Sequence, residues 1–257
     1  MKLETAQPRR ITLLAYQLAG AAVVVGIWCA ATYTGAVNEF VLPTPLQVAR
    51  SLGRGIDEGV LIHHTLMTLR SFAISFGIAI VLGVALGTAP GLMPSVNRSI
   101  QPLVSLALTL PIVTYFAVLV VLFGYGFWSV LCLGVVSAAP SMLVSTTTAF
   151  QEIDKNLVRV GSVYCSSRWS RYRRILLPAS LATLSSGVKI AAGRAIMGVI
   201  VGEMFMASDG LGAYLITSSG FFDNPATFSI VVMLAVVSYV IAVAFAAVEN
   251  RMARFNG

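Results

Sequence analysis

Six stretches of this chain, residues 11–33, 71–93, 103–123, 127–148, 181–206 and 226–248, are apolar runs of roughly the length that crosses a bilayer. A backbone in lipid has no water to bond to, so each such run must close its own hydrogen bonds as a helix. The fold class that follows is all-α: a polytopic membrane protein with six transmembrane helices. Composition agrees, since 57% of residues are hydrophobic, 11% are charged and the mean hydropathy is +0.86. That is too apolar for a domain that must show water a charged surface. The first run has a basic flank (Lys2, Arg9, Arg10), as a signal peptide would. It is longer than a signal core and no small-residue cleavage site follows, so it is read as a retained helix.

A net charge of +7 invites a nucleic-acid partner, but the charges are placed otherwise. With the amino terminus inside, twelve of the seventeen basic residues fall on inner segments, from Lys2, Arg9 and Arg10 through Arg98, Lys155, Arg159 and the arginines of 168–174 to Arg251 and Arg254. The positive-inside rule then puts both termini in the cytoplasm of a multi-pass protein, with lipid as the partner of much of that charge and no nucleic acid. Cys29 and Cys132 lie in apolar runs and Cys165 in a loop, which gives neither a disulfide framework nor metal-ligand spacing. They read as small packing residues, and no metal site is expected.

Residues 1–60 form a first unit, a helix followed by an outer amphipathic segment, and 61–257 form the core. Pro43 and Pro45 bracket an extended approach, after which Leu46, Ala49, Leu52 and Ile56 recur at near-helical spacing. His63 and His64 tempt a metal reading, but without a third ligand they are more simply solvated side chains of a polar loop. The second span carries Ser75, Ala79, Gly83, Gly87 and Gly91 four residues apart, one face along which another backbone can approach closely. Pro111 and Pro140 each remove a helix hydrogen bond. Such breaks flank cavities in some membrane proteins and are plain packing in others, and the two readings weigh equally.

The most charged loop, 151–178, ends in "SSRWSRYRRILLP". Asp154 can cap a short helix in which Leu157, Val160 and Tyr164 share a face. After a break at Cys165 and Ser166, Ser167 can cap a second helix with Trp169, Tyr172 and Leu176 on one side and Arg171 and Arg174 on another, ended by Pro178, which can also serve as the first residue of the fifth span. A helix, turn and helix with an exposed apolar ridge, facing water, calls for a protein groove.

The loop resembles the Glu-Ala-Ala loop of permease subunits in binding-protein-dependent ABC importers, and most of all the nitrate, taurine and alkanesulfonate branch. The matching residues are Asp154, Leu157, Val158, Ser167, Arg168, Trp169, Arg173, Arg174, Leu177 and Pro178. "LPTPLQVARSL", "TLRSFAISFGIAIVLGVALG", "FGYG" and "GRAIMGVIVGEMFMASDGLGAYL" resemble other segments of that branch in the same order, from about Val41 to Arg251. The resemblance implies a type I ABC importer permease fold in a bacterial inner membrane, with a cytoplasmic coupling helix between the fourth and fifth spans. The coupling residues it implies are Asp154, Leu157, Arg159, Val160, Gly161, Tyr164, Cys165, Ser167 and Arg168, seated on a cytoplasmic ABC ATPase dimer. It further implies a second permease chain (a homodimer, or a paralogous heterodimer) and a periplasmic or lipid-anchored binding protein that delivers a small solute. ATP and Mg then belong to the partner ATPase. This chain has no Gly-x-x-x-x-Gly-Lys-Ser/Thr, no catalytic residues and no cofactor of its own, and is expected to be a transport subunit and not an enzyme.

The chain departs from the branch at several places. Arg159, Val160 and Gly161 stand at the Glu-Ala-Ala positions, Cys165 replaces the turn glycine, and Thr109 and Ala117 replace prolines. In the fifth span Lys189, Arg194 and Glu203 are ionisable groups in lipid depth, which cost about 2.5 to 3.5 kcal/mol unless they meet a partner or a wet path. Lys189 lies near the inner end, where it can snorkel. Arg194 is expected to pair within the bundle, and Thr109, Pro111, Thr114, Tyr115, Glu203 and Met204 to border the path or its outer gate, with a structural pair away from the path as the equal alternative. An ATP-independent secondary transporter is the competing function, and it should show two inverted halves with corresponding broken spans. An intramembrane enzyme lacks its motifs. The solute is not named by the sequence; Arg194 is a slender reason to prefer an anion.

Overall fold

The computed structural model describes residues 10–35, 37–154, 156, 157, 159 and 167–253. Ten α-helices are named in chain order: α1 (Arg10–Tyr33), α2 (Pro45–Asp57), α3 (Val60–Leu92), α4 (Pro94–Thr109), α5 (Ile112–Phe123), α6 (Phe127–Gln151), α7 (Arg168–Arg171), α8 (Leu177–Met206), α9 (Leu211–Gly220) and α10 (Asn224–Ala253). A π-helical turn, Tyr172–Leu176, joins α7 to α8. No strand occurs among the described residues.

The small-residue ladder does what its spacing predicts. Ser75 and Ala79 are fully buried. A Cβ on Gly83 would stand 2.5 Å from the Met142 Cβ, one on Gly87 2.7 Å from the Leu143 carbonyl oxygen, and one on Gly91 2.8 Å from the Phe150 Cβ. All three neighbours lie on α6, so α3 lies directly on α6. The other side of α6 receives α8 in the same way, for Gly187 abuts Ser145, and a Cβ on Gly198 would meet the Ser137 hydroxyl at 2.6 Å. Ser75 Oγ donates to the Leu131 carbonyl at 3.1 Å and Thr147 Oγ1 to the Gly87 carbonyl at 3.3 Å, which stitches α3 to α6. The main core adds Phe72, Phe76, Met142, Ala191, Ala195 and Ile230 around this trio.

Three expectations change. The third span is not one helix: α4 and α5 meet at 96°. Leu110 is extended (ψ 131°), as a residue before proline prefers, and Pro111 at ψ 133° continues the corner. Pro140, by contrast, lies inside an unbroken α6, so the two prolines part company. Four helices are long and apolar enough to cross a membrane, five if the bent pair counts as one span; α1 adds a 24-residue helix whose described side chains include the apolar stretch Ala22–Tyr33.

The second helix starts at Val60 and not at Ser71, so His63 and His64 lie on α3 and not in a loop. Gly59 takes φ +77°, and the chain reverses there between α2 and α3. The outer amphipathic helix is present as α2. Thr44 Oγ1 accepts from the Gln47 N–H and Gln47 Oε1 accepts from the Thr44 N–H, a reciprocal cap at its start. Its inner face, however, is Val48 and Gly55 with half-buried Leu52, whereas Leu46, Ala49 and Ile56 stay exposed. Exposed apolar side chains elsewhere, Val121 at 85% and Leu122 at 66% on α5 among them, fit a lipid surround.

Two substitutions test this packing. Gly83→Val should remove most folded protein or lower its midpoint in a detergent unfolding series, because no rotamer avoids Met142 and the α6 backbone; overpacking of this kind costs about 1–3 kcal/mol or more. Thr44→Ala should cost about 1 kcal/mol by the same measurement, through loss of the α2 cap.

Candidate functional site

The loop 207–210 and the start of α9 dock onto α3 through a buried carboxylate. Glu203, near the end of α8, is 1% exposed. Its Oε2 accepts from Thr68 Oγ1 at 2.8 Å and from the Gly212 N–H at 3.1 Å. Thr68 in turn accepts from the Leu211 N–H at 2.9 Å, so one hydroxyl joins α3, α8 and α9. Gly210, at φ +104°, lies directly against the carboxylate, and a Cβ there would collide with it. Any other residue would be strained twice, by backbone and by contact.

His64 completes the latch. Its Nδ1 accepts from the Gly210 N–H at 3.2 Å and its ring stacks on Tyr214 at 4.8 Å. His63 remains exposed, with Nε2 3.8 Å from Asp209. The expectation of two solvated histidines thus holds for one, and the other anchors a loop. Thr68 was not foreseen at all, since nothing in the sequence separates it from the other threonines of apolar runs.

The expected path residues fall in two places. At the corner of α4 and α5, Thr109, Pro111 and Thr114 are exposed. Tyr115 bridges the corner by donating to the Ala107 carbonyl at 3.3 Å, and it lines a cavity of about 50 Å³ together with Ser137 and Arg194. Arg194 therefore meets the corner, and the pairing within the bundle that was expected of it is not found among the described residues. It is exposed on α8 beside Ile190 and Met197, and no acidic partner for it occurs among the described residues. Glu203 and half-buried Met204 stand apart from this group, at the latch. Lys189, lower on α8, pairs with Glu249 of α10 at 3.2 Å, and Ser186 donates to the same carboxylate at 2.6 Å.

The connector between α6 and α8 is only partly described: Val160, Gly161, Tyr164 and Cys165 lie outside the described residues, as do Val158 and the side chain of Arg168. Asp154 Oδ1 accepts from the Asn156 N–H at 2.8 Å, and Ser167 Oγ accepts from the Ser170 N–H at 3.1 Å, so both expected caps form hydrogen bonds. Pro178 does not end the second helix. Helix continues from α7 through the π-helical turn into α8: the Leu177 N–H reaches back five residues to the Tyr172 carbonyl, and this widened turn accommodates Pro178, which has no N–H to give. The apolar ridge is also not wholly exposed. Leu176 is buried with Phe150 and Ile153, half-buried Tyr172 packs on Phe150 at 5.7 Å, and Trp169, 68% exposed, stacks on Tyr172 at 5.6 Å. Leu157 is exposed at 41%, and Arg159 lies exposed near it in sequence.

The latch yields one expectation. Thr68→Val keeps shape but removes a donor to Glu203 and strands the Leu211 N–H. Loss of the bond to the buried carboxyl group and of the Leu211 bond should cost roughly 2–5 kcal/mol in unfolding, and limited proteolysis should cut first near 207–212.

The family described as binding-protein-dependent transport system inner membrane component matches residues 79–254. Among curated proteins, the riboflavin transport system permease RibX of Chloroflexus aurantiacus is 29% identical over 89% of this chain and 85% of its own length. The formylaminopyrimidine transport permease ThiX of Halalkalibacterium halodurans is 26% identical over 83% and 85%. The taurine transport permease TauC of Escherichia coli is 21% identical over 97% and 91%. Among solved structures, an inward-facing form of the methionine ABC transporter MetNI aligns with a TM-score of 0.64 at 19% identity, covering 73% of this chain and 93% of that one. The fold is thus that of a type I ABC importer permease. The chain belongs to the binding-protein-dependent transport inner membrane components, as a multi-pass permease subunit of the ABC importer class.

Proposed function

We propose that this chain forms the translocation path of an ATP-driven importer for a small solute, as one of two permease chains served by two cytoplasmic ATPase subunits and a soluble binding protein. The observation that carries the reading is the connector. Trp169 and Leu157 stand exposed at a water-facing end while Tyr172 and Leu176, on the same helix run as Trp169, are fastened to the end of α6. An exposed tryptophan held on a rigid base is what a partner groove can push against. Asp154, Arg159, Val160, Gly161, Tyr164, Cys165, Ser167 and Arg168 complete the proposed ATPase-contacting segment. ATP and Mg reside on that partner.

Arg194 supplies the path. A guanidinium in the middle of a span cannot face lipid cheaply, and its exposed stripe with Ile190 and Met197 sits beside the α4–α5 corner, where Thr109, Pro111, Thr114 and Tyr115 lie. A second permease chain covering this face would enclose a wet, basic lining. Basic residues around the connector, Arg171, Arg173 and Arg174, favour that end and both termini in the cytoplasm. The relatives named for riboflavin, formylaminopyrimidine and taurine support a small organic solute here. The ATP-independent alternative predicts a matching broken span in each half; among the described residues only the α4–α5 pair is broken.

Co-expression with a candidate ATPase and purification through a tag on this chain should recover about one ATPase per permease chain. Trp169→Asp should release it while leaving the permease monodisperse. Equal recovery with both proteins, or none with either, would turn the reading toward ATP-independent transport. Arg194→Leu should keep the ATPase bound yet reduce solute uptake by about tenfold or more.

A further inference from the structure

α4 has two unlike faces. Leu103, Leu106 and Leu110 are exposed on one, as lipid-facing residues are. The other carries Asn97, Gln101, Ser105 and Thr109, four residues apart and so in one line along the helix. Across from that line stand Thr148 and Gln151 of α6, and the two helices flank a groove of about 270 Å³ backed by Pro90 of α3. No charged side chain lines it among the described residues. Asn97, Gln101, Ser105, Thr148 and Gln151 all border the groove, and none of these side chains makes a hydrogen bond among the described residues.

The groove has a direction. Its α6 wall runs from Leu143 to Gln151, about 12 Å of helix that ends at the connector. At the other end Leu108 lines both this groove and the cavity of Tyr115, Ser137 and Arg194, so the two spaces adjoin. Headgroup hydration accounts for polar side chains at the mouth, Asn97 and Gln151. It does not account for Ser105, which lies a further 12 Å along α4, between Leu103 and Leu106. Those three share one depth and differ only in the face they occupy. Polar groups on a single face, turned toward a groove and left without protein partners, are the lining of a wet path.

We infer that this groove is the inner half of the solute path, a water-filled lane from Arg194 to the connector end, where Asn97, Gln101, Ser105 and Thr148 meet a neutral or anionic solute rich in hydrogen-bonding groups. The inference rests on the reading of Arg194 as part of the path and deepens it. The class of solute follows from the lining. Amide side chains offer donors and acceptors without charge, so they favour no sign, and the single charge at the head of the lane, Arg194, disfavours cations.

The test places single cysteines in the full chain, with Cys29→Ala, Cys132→Ala and Cys165→Ala as background, in lipid nanodiscs where both membrane faces meet the buffer. Anionic and cationic methanethiosulfonates are the probes, and each rate is divided by the rate on a free thiol in solution. Ser105→Cys should react at least about tenfold faster than Leu103→Cys or Leu106→Cys, because a thiol facing lipid does not ionise. The anionic probe should gain about threefold over the cationic one at Ser105→Cys, and Arg194→Leu should remove that gain. Slow reaction at Ser105→Cys, or a rate equal to that at the two leucine positions, would overturn the lane. A disulfide joining two chains through Ser105→Cys would overturn it too, and assign the groove to the seam between permeases. A probe preference unchanged in Arg194→Leu would overturn the solute class. No ATPase is needed, so a dry groove in a permease that still recovers its ATPase would remove the lane and leave the importer reading standing.

Discussion

The structure depends on how closely α3 and α8 approach α6. In water such an approach would be driven by burial of apolar surface, but lipid tails are as apolar as leucine and supply no such drive. What remains is contact between backbones and a few hydrogen bonds across helices. Gly83, Gly87 and Gly91 on one side and Gly187, Gly198 and Gly202 on the other leave no side chain of their own at the points of closest approach to α6. The bonds from Ser75 and Thr147 then have partners only because the backbones are within reach. α1 also carries small residues four apart, Ala22, Gly26 and Ala30, yet no neighbouring atom comes within 4 Å of a Cβ on Gly26. α5 keeps a broadly exposed apolar surface, and α1 is tied by Trp28, which donates to the Pro43 carbonyl at 3.0 Å and tilts onto Phe228.

Fixing the trio also fixes its two ends. At one, the Phe150, Ile153 and Leu176 cluster locks the foot of α6 to the root of α8, and Gly91 of α3 rests on the same Phe150. At the other, Thr68 joins the α3 side to Glu203, and Gly126 of the α5–α6 turn donates to the Met206 carbonyl at 2.6 Å. The latch needs a carboxylate, a hydroxyl and two glycines in register, and each comes from a different point on an already assembled bundle. Its geometry is a consequence of the packing and not a cause of it.

That order explains what the sequence could disclose. Spans and ladder were legible because length in lipid and spacing along a helix are properties of one segment. The caps at Asp154 and Ser167 are local too, and the capping box of Thr44 and Gln47, equally local, was missed. The right angle at Leu110 and Pro111 was half legible: proline announces a weak point, but Pro140 carries the same chemistry within a straight run because α3 and α8 clamp α6 on both sides. Glu203 stood out as an ionisable group in a span, yet its partners Thr68 and Gly212 are remote or unremarkable in sequence. Arg194 and Glu203 were grouped around one path, but nine residues along one helix, about 13 Å of rise, set them at different depths. The burial of Tyr172 and Leu176 could not, since the face they share with Trp169 has one helical spacing and two different surroundings.

α8 gives these parts a common mechanical logic. It spans 30 residues, about 45 Å, from the π-helical turn at the connector, past Arg194, to Glu203 at the latch. A π-helical turn carries an additional residue per turn and tends to occur where a helix must change register or function. Placed between Trp169 and the body of α8, it is where movement of the connector could be taken up as rotation or passed on. The Phe150 cluster decides between these. Leu176 and Tyr172 are fastened to the foot of α6, so in the proposed importer a push on Trp169 would act on α6 and α8 together and not on the turn alone. The close glycine contacts of α6 with α3 and α8 would pass that push along the bundle, Met142 being the flexible side chain set against Gly83. At the far end stands a buried carboxyl group whose bonds to Thr68 and Gly212 span three helices. In the proposed importer a push carried along α8 would meet bonds that are either kept or broken, which would turn a graded push at one end into a discrete change at the other.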